Sequence, residues 1–133
     1  REPEVYGTAT LGDIESELKS VASELGVEVE FFQSNHEGEI LDFLEEVGPR
    51  AQGILINPGG LTHTSVSLRD GLVGIGLPVV EAHLSNPVAR DSFRHHSFIA
   101  PVALATVAGF GKNSYVLGLR GLAAHLHQSC IES

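Results

Sequence analysis

The sequence has no tryptophan or methionine, and its single cysteine is Cys130. One cysteine leaves no partner for a disulfide within the chain, so we expect a protein of a reducing compartment. No apolar run approaches the ~20 residues that cross a bilayer, and the opening Arg1-Glu2-Pro3 does not resemble a signal peptide. These absences predict a soluble, cytoplasmic protein without a membrane partner.

Basic residues are also scarce. The chain has 8 Lys and Arg residues against 17 Asp and Glu, and its net charge is -9. Nucleic-acid binding needs a basic face that can neutralise phosphates, so this class of partner is not expected. A small anionic substrate is still compatible with the charge, because a few arginines can form a local cationic pocket on an acidic protein.

Known cofactor and metal motifs are missing as well. Seven histidines occur, but none forms an HExxH or a Cys/His zinc pattern. No Walker motif or GxGxxG is found. We therefore predict neither a metal nor a cofactor.

What the chain does contain is a regular alternation of helical and strand patterns across 133 residues, a length that suits one domain. The periodicities predict, in chain order, a helix over 11–25, a strand over 27–33, a helix through 40–47, a strand over 53–57, a helix over 65–73, strands over 77–82 and 105–109, and a final helix through 115–126. Such alternation predicts an α/β fold with a parallel sheet and helices on both sides. The site is then expected at the carboxyl ends of the strands.

Polar side chains follow three of the predicted strands, at 33–36, 57–63 and 81–85. In the second group, Asn57 closes a strand, and Gly59 and Gly60 would let the backbone approach a ligand. A well-capped loop whose polar groups satisfy one another explains the same residues. Both interpretations stay open for this group.

Glu81 and His83 lie two residues apart on a predicted strand, so their side chains point to the same face. A carboxylate beside an imidazole orients the ring and holds a proton on it, as a general acid or base requires. The alternative is a histidine that is satisfied by a surface partner.

Two further groups carry arginine. Arg90 and Arg94 would share a helical face and could pair with a carboxylate, or they belong to a solvated charged surface. Arg1 lies five residues before Tyr6, and a nearby guanidinium favours the tyrosinate form. A surface-packed loop tyrosine is the alternative there.

Together these groups resemble one family, the type II 3-dehydroquinate dehydratases, over residues 1 to about 126. The matching motifs are REPEVYG (1–7), QSNHEG (33–38), INPGGLTHTSV (56–66), LRD (68–70), EAHLSN (81–86) and ARDSFRHHS (89–97). The resemblance implies a flavodoxin-like three-layer α/β sandwich. It also implies dehydration of 3-dehydroquinate to 3-dehydroshikimate by anti elimination through an enolate, without metal, cofactor or Schiff base.

The resemblance assigns catalytic roles. Tyr6 matches the base, taken to act as tyrosinate, that removes a proton from C2. Arg1 matches the arginine that helps to ionise the tyrosine and stabilises the transition state. Asn57 matches the residue that holds a water against the enolate and also contacts substrate. His83 matches the general acid for the departing C1 hydroxyl, and Glu81 would orient it.

The resemblance also assigns substrate contacts. Leu84 and Ser85 match the segment that binds the substrate carboxylate through backbone and hydroxyl groups. His63 and Arg94 match residues that hold the ring hydroxyls. Asp70 matches a residue that reaches the site of a neighbouring subunit.

The family is usually a dodecamer built from four trimers, so a homo-oligomer is expected. In the family a first strand and an Asn-rich loop precede the position of Arg1. We therefore expect a single domain over 1–133 that lacks this strand and loop and comes from a longer protein. Two other functions stay open, namely a flavodoxin-like binding module for a small ligand and an inactive scaffold.

Overall fold

The computed structural model describes residues 11–86 and 96–132 of the chain. The helices in these ranges are α1 (Leu11–Leu25), α2 (Glu37–Val47), α3 (Val66–Ile75) and α4 (Asn113–Glu132). The strands are β1 (Ile54–Ile56), β2 (Val79–His83) and β3 (Ala105–Ala108). Short 3-10 turns occupy Gly48–Arg50, Gly59–His63 and Ala100–Val102.

The helix ends follow the local chemistry of the sequence. Gly26 follows α1 with φ +71°, a left-handed conformation that glycine adopts without a Cβ clash. Ser65 begins α3, and its hydroxyl accepts the N–H of Leu68 at 2.9 Å. Ser34 does not cap α2 itself. The N-cap position belongs to His36, and the hydroxyl of Ser34 accepts the N–H of His36 at 2.9 Å.

The strands form a parallel sheet in the order β1-β2-β3. Strand β2 lies in the middle, and Val79, Val80, Glu81 and Ala82 are all buried, as expected for a strand covered on both faces. In β1, by contrast, all three residues are only half-buried. Strand β1 is at the edge of the described sheet, where one side lacks a neighbouring strand.

Two hydrophobic cores lie on opposite faces of the sheet. One joins α1 to α4 and includes Leu18, Leu119 and the β1 residue Leu55. The other joins α2 to α3 and includes Leu44, Leu68 and the β2 residue Val79. The architecture is therefore a three-layer α/β sandwich, and this prediction is confirmed.

The predicted strand over residues 27–33 is wrong within the described part of the chain. Its side chains alternate between half-buried and exposed, and Val27, Val29 and Phe31 pack against the core of α1 and α4. The segment is not, however, assigned to the sheet. Alternating burial shows that one side of a segment is packed, whereas a strand also needs backbone hydrogen bonds to a neighbouring strand.

None of the described helices is long and apolar enough to span a membrane.

Candidate active site

The polar groups that follow β1 and β2 meet at one edge of the sheet, because parallel strands present their carboxyl ends on the same side. Ile56 pairs with Glu81 across the two strands. Asn57, the next residue, therefore lies beside the carboxyl end of β2. Successive side chains point to opposite faces. Glu81 and His83 therefore lie on the face that carries α2 and α3, whereas Asn57 reaches toward α4.

Glu81 and His83 form a close pair, with His83 Nε2 2.5 Å from Glu81 Oε2. Glu81 is only 3% exposed, and the His83 side chain is 11% exposed. A carboxylate oxygen accepts, so Nε2 carries the proton of this bond and Nδ1 is the ring nitrogen left for other chemistry. The side-by-side placement predicted from the sequence is confirmed.

Ser97 completes the surroundings of the Glu81 carboxylate. Its hydroxyl donates to Glu81 Oε1 at 3.0 Å and accepts the N–H groups of Ile99 and Ala100 at 3.0 and 2.9 Å. Each oxygen of Glu81 therefore has its own donor, Ser97 on one side and His83 on the other. This satisfies a buried carboxylate that would otherwise be costly.

His63 lies on the 3-10 turn that follows Asn57. Its Nδ1 donates to the carbonyl oxygen of His96 at 2.8 Å. The N–H of Phe98 donates to the carbonyl oxygen of Thr62 at 2.8 Å. The 59–63 turn and the 96–98 segment are thus hydrogen-bonded to each other, and Ser97, between these two contacts, reaches Glu81.

The carboxamide of Asn57 is held at both ends. Its Oδ1 accepts the N–H of Gly59 at 3.0 Å, and its Nδ2 donates to the hydroxyl of Tyr115 on α4 at 2.9 Å. The backbone N–H of Gly59 can only donate, so this contact settles which end of the amide is the oxygen. One N–H of Asn57 has no partner within residues 11–86 and 96–132 and can donate to a ligand or a water.

The backbone after β2 is supported by the loop that follows β3. Gly109 N–H donates to the His83 carbonyl at 3.3 Å, and Gly111 N–H donates to the Leu84 carbonyl at 2.8 Å. Gly109 and Gly111 have φ of +95° and +60°, a region that favours glycine. The Leu84 side chain is buried against the core of α1 and α4, so this residue can offer only backbone groups to a ligand.

Of the remaining predicted residues, Ser85 and Asp70 are in the described part of the chain and the others are not. Ser85 is half-buried beside Leu84 at the carboxyl end of β2. Asp70 is exposed on α3, and it forms no hydrogen bond or ion pair with the other residues that the structure describes. The predicted residues Arg1, Tyr6, Arg90 and Arg94 lie outside the described residues.

The lysines are engaged elsewhere. Lys112 pairs with Glu17 at 2.9 Å, and this hydrogen bond and charge raise the pKa of the ammonium group. A raised pKa keeps the amine protonated, the opposite of what a Schiff-base lysine needs. The ammonium nitrogen of Lys19 lies 5.8 Å from the centre of the Phe31 ring.

Two residues of this edge had no role in the sequence-based prediction. Ser97 was part of a matching motif, but nothing placed its hydroxyl near Glu81. Tyr115 was predicted only as an apolar face residue of α4. The sequence could have indicated that the Ser97 hydroxyl accepts a backbone N–H close by in the chain, because serine commonly makes such local bonds. Its bond to Glu81, 16 residues away, depends on the fold.

These features define a class of protein: a parallel α/β sandwich with a carboxylate–imidazole pair and an oriented amide at the carboxyl edge of its sheet. A family model described as "Dehydroquinase class II" matches residues 1–123. The chain belongs to the class II dehydroquinase family.

Relatives and solved structures agree with this membership. A 3-dehydroquinate dehydratase of Gloeobacter violaceus is 56% identical over 128 residues, which are 96% of this chain and 80% of the relative. The crystal structure of a type II dehydroquinase from Propionibacterium acnes has a TM-score of 0.88 at 35% identity and covers 93% of this chain and 86% of its own. A 3-dehydroquinate dehydratase-like protein from Bifidobacterium longum has a TM-score of 0.71 at 30% identity, with 89% of each chain covered.

Proposed function

We propose that this chain is a lyase that dehydrates 3-dehydroquinate to 3-dehydroshikimate and water. The observation that carries the proposal is the buried Glu81–His83 pair at the carboxyl edge of the sheet. Family membership supports the substrate, because the similar relatives are 3-dehydroquinate dehydratases.

The proposed reaction is a two-step elimination. A base removes the proton from C2, next to the ketone, and the electron pair is held as an enolate. The enolate then collapses, the C1–oxygen bond breaks, and the leaving hydroxyl takes a proton and departs as water. We assign the base to Tyr6 as tyrosinate, with Arg1 helping to ionise it.

We assign the leaving-group proton to His83. With Nε2 bonded to Glu81, the imidazolium presents Nδ1–H as its other donor, and the carboxylate stabilises the charged ring. The pair is largely buried, which strengthens this electrostatic contact.

We assign enolate stabilisation to Asn57, acting through a bound water. The amide is oriented by Gly59 and Tyr115 before any ligand arrives. A donor fixed in advance costs no reorganisation when charge develops. This arrangement supports a catalytic role for Asn57 over a purely structural one.

We further propose that substrate is held by His63, Arg94, Leu84 and Ser85, with Asp70 supplied by a neighbouring subunit. Val66, Asp70 and Val73 are spaced for one face of α3, and all are exposed. An exposed face of two valines around a carboxylate suits contact with a second subunit. We propose that the protein assembles in the cytoplasm as a dodecamer of four trimers. In this proposal residues 1–133 belong to a single domain.

The test is direct. Purified protein is mixed with 3-dehydroquinate, and the ultraviolet absorbance of the conjugated product is followed. We expect turnover, and we expect His83→Ala to lower kcat by about 10²–10⁴-fold, the range for loss of a general acid.

The control is His127→Ala, which removes an exposed histidine of α4 and should leave kcat unchanged. Borohydride added with substrate should not inactivate the enzyme, since no lysine imine forms. A folded protein without turnover, or with flavin absorbance, would instead indicate an inactive scaffold or a binding module.

A further inference from the structure

We propose that Ser97 is a positioning residue that holds the Glu81–His83 pair with Nε2–H directed at Glu81, which is the orientation in which the protonated ring can donate from Nδ1. This inference rests in part on the proposed function, because its kinetic consequence is read in the dehydration of 3-dehydroquinate.

The hydrogen bonds that the Ser97 hydroxyl accepts determine where it donates its proton. A serine hydroxyl has two acceptor lone pairs and one proton. Both acceptor positions are taken, by the N–H groups of Ile99 and Ala100 at 3.0 and 2.9 Å. The proton must therefore be donated, and the acceptor in reach is Glu81 Oε1 at 3.0 Å.

The fixed direction of this bond constrains the carboxylate. Oε1 is held by Ser97, so Oε2 is the oxygen that faces His83. Without the Ser97 contact the carboxylate could rotate about its last torsion, which is broad in carboxylates. His83 would then lose the acceptor that keeps a proton on Nε2 and keeps Nε2, rather than Nδ1, facing Glu81.

Ser97 can serve as a support because its own backbone is anchored on both sides. The His96 carbonyl accepts from His63 Nδ1, and the Phe98 N–H donates to the Thr62 carbonyl, each at 2.8 Å. Ile99, two residues further on, is fully buried in the core of α2 and α3. Partners of this kind, behind the reacting group, fix the orientation of histidines in well-formed sites.

The kinetic test compares Ser97→Ala with Ser97→Thr. Removal of the hydroxyl should lower kcat by about 10–100-fold, by analogy with the loss of an outer partner that orients a metal-binding histidine. KM should change little, since Ser97 is not proposed to touch substrate. Threonine keeps a hydroxyl and should restore most of the lost kcat.

The matched control is Ser65→Ala. Like Ser97, Ser65 accepts a backbone N–H through its hydroxyl, that of Leu68, and donates to a glutamate, Glu37, at 2.5 Å. Ser65 is buried, whereas Ser97 is half-buried. The variant therefore reports what the loss of such a hydroxyl costs in stability without a change at Glu81. We expect a comparable loss of stability but a kcat near that of the parent.

A second measurement does not depend on turnover. Long-range proton–nitrogen spectra of histidine-labelled protein, assigned with His83→Gln, report which ring nitrogen of His83 carries the proton. For the neutral form of the ring, we expect the proton on Nε2 in the parent and a mixture of the two tautomers in Ser97→Ala. If the parent does not act on 3-dehydroquinate, the proposed function fails, and the spectra still decide the role of Ser97.

The inference would be overturned by an unchanged His83 tautomer in Ser97→Ala together with a parental kcat. It would also be overturned if the tautomer stayed unchanged and Ser65→Ala lowered kcat as much as Ser97→Ala does. In that case the Ser97 hydroxyl only holds the backbone N–H groups of Ile99 and Ala100 at the start of the 3-10 turn.

Discussion

At the scale of single residues, the polar groups near the proposed site are held by specific partners. Asn57, His63, Glu81 and His83 each have an assigned hydrogen bond. Thr62 differs, because its side-chain oxygen is buried and has no hydrogen-bond partner among the described residues. A buried hydroxyl without a partner lowers the stability of the folded state.

We therefore expect Thr62→Val to raise the free energy of unfolding by about 1 kcal/mol, because valine has a similar shape without the hydroxyl. The backbone carbonyl that accepts from Phe98 is kept. Urea unfolding of the variant and parent measures the change. The control is Thr64→Val on the exposed neighbour, where a change within about 0.5 kcal/mol is expected. Destabilisation by Thr62→Val would mean that its hydroxyl is satisfied.

At the scale of elements, the close packing of α4 on the sheet depends on a small residue. Gly118 is buried, and a Cβ at this position would lie 2.7 Å from Leu55 Cδ1 and 3.3 Å from Val80 Cγ1. Gly121 is on the same helix, is exposed, and has no atom within 4 Å of an added Cβ. The two glycines allow one substitution to be compared in two environments.

Alanine at either position gains about 1 kcal/mol of helix propensity over glycine. We expect Gly121→Ala to realise most of that gain. Gly118→Ala should instead destabilise the protein, because overpacking costs about 1–3 kcal/mol. Thermal unfolding of both variants measures the difference, and a Gly118→Ala protein as stable as Gly121→Ala would show that Leu55 moves aside freely.

The elements also show where sequence patterns succeed. The stripe through α1 and the buried run of β2 predicted real elements, because burial of an apolar face is encoded locally. Residues 27–33 alternate in burial as a strand would, yet they are not in the described sheet. Pairing depends on a neighbour that a single segment does not specify.

At the scale of the whole molecule, the proposed assembly makes a prediction about α3. If its exposed face at Val66 and Val73 packs against a second subunit, Val73→Glu should bury an unpaired charge and weaken that contact. Light scattering after gel filtration should give the mass of twelve protomers for the parent and a smaller species for the variant. The control is Ser20→Glu, which adds the same charge at an exposed residue of α1. A parental mass for Val73→Glu would contradict a contact at this face.

The sequence by itself determined the α/β class, the helices and the side-by-side placement of Glu81 and His83, because each follows from residue periodicity along one segment. Its motifs also indicated the family. Only the tertiary structure brought Ser97 to Glu81 and Tyr115 to Asn57, partners that lie 16 and 58 residues apart. Such contacts are decided by how helices and loops pack on the sheet, and no local pattern contains that information.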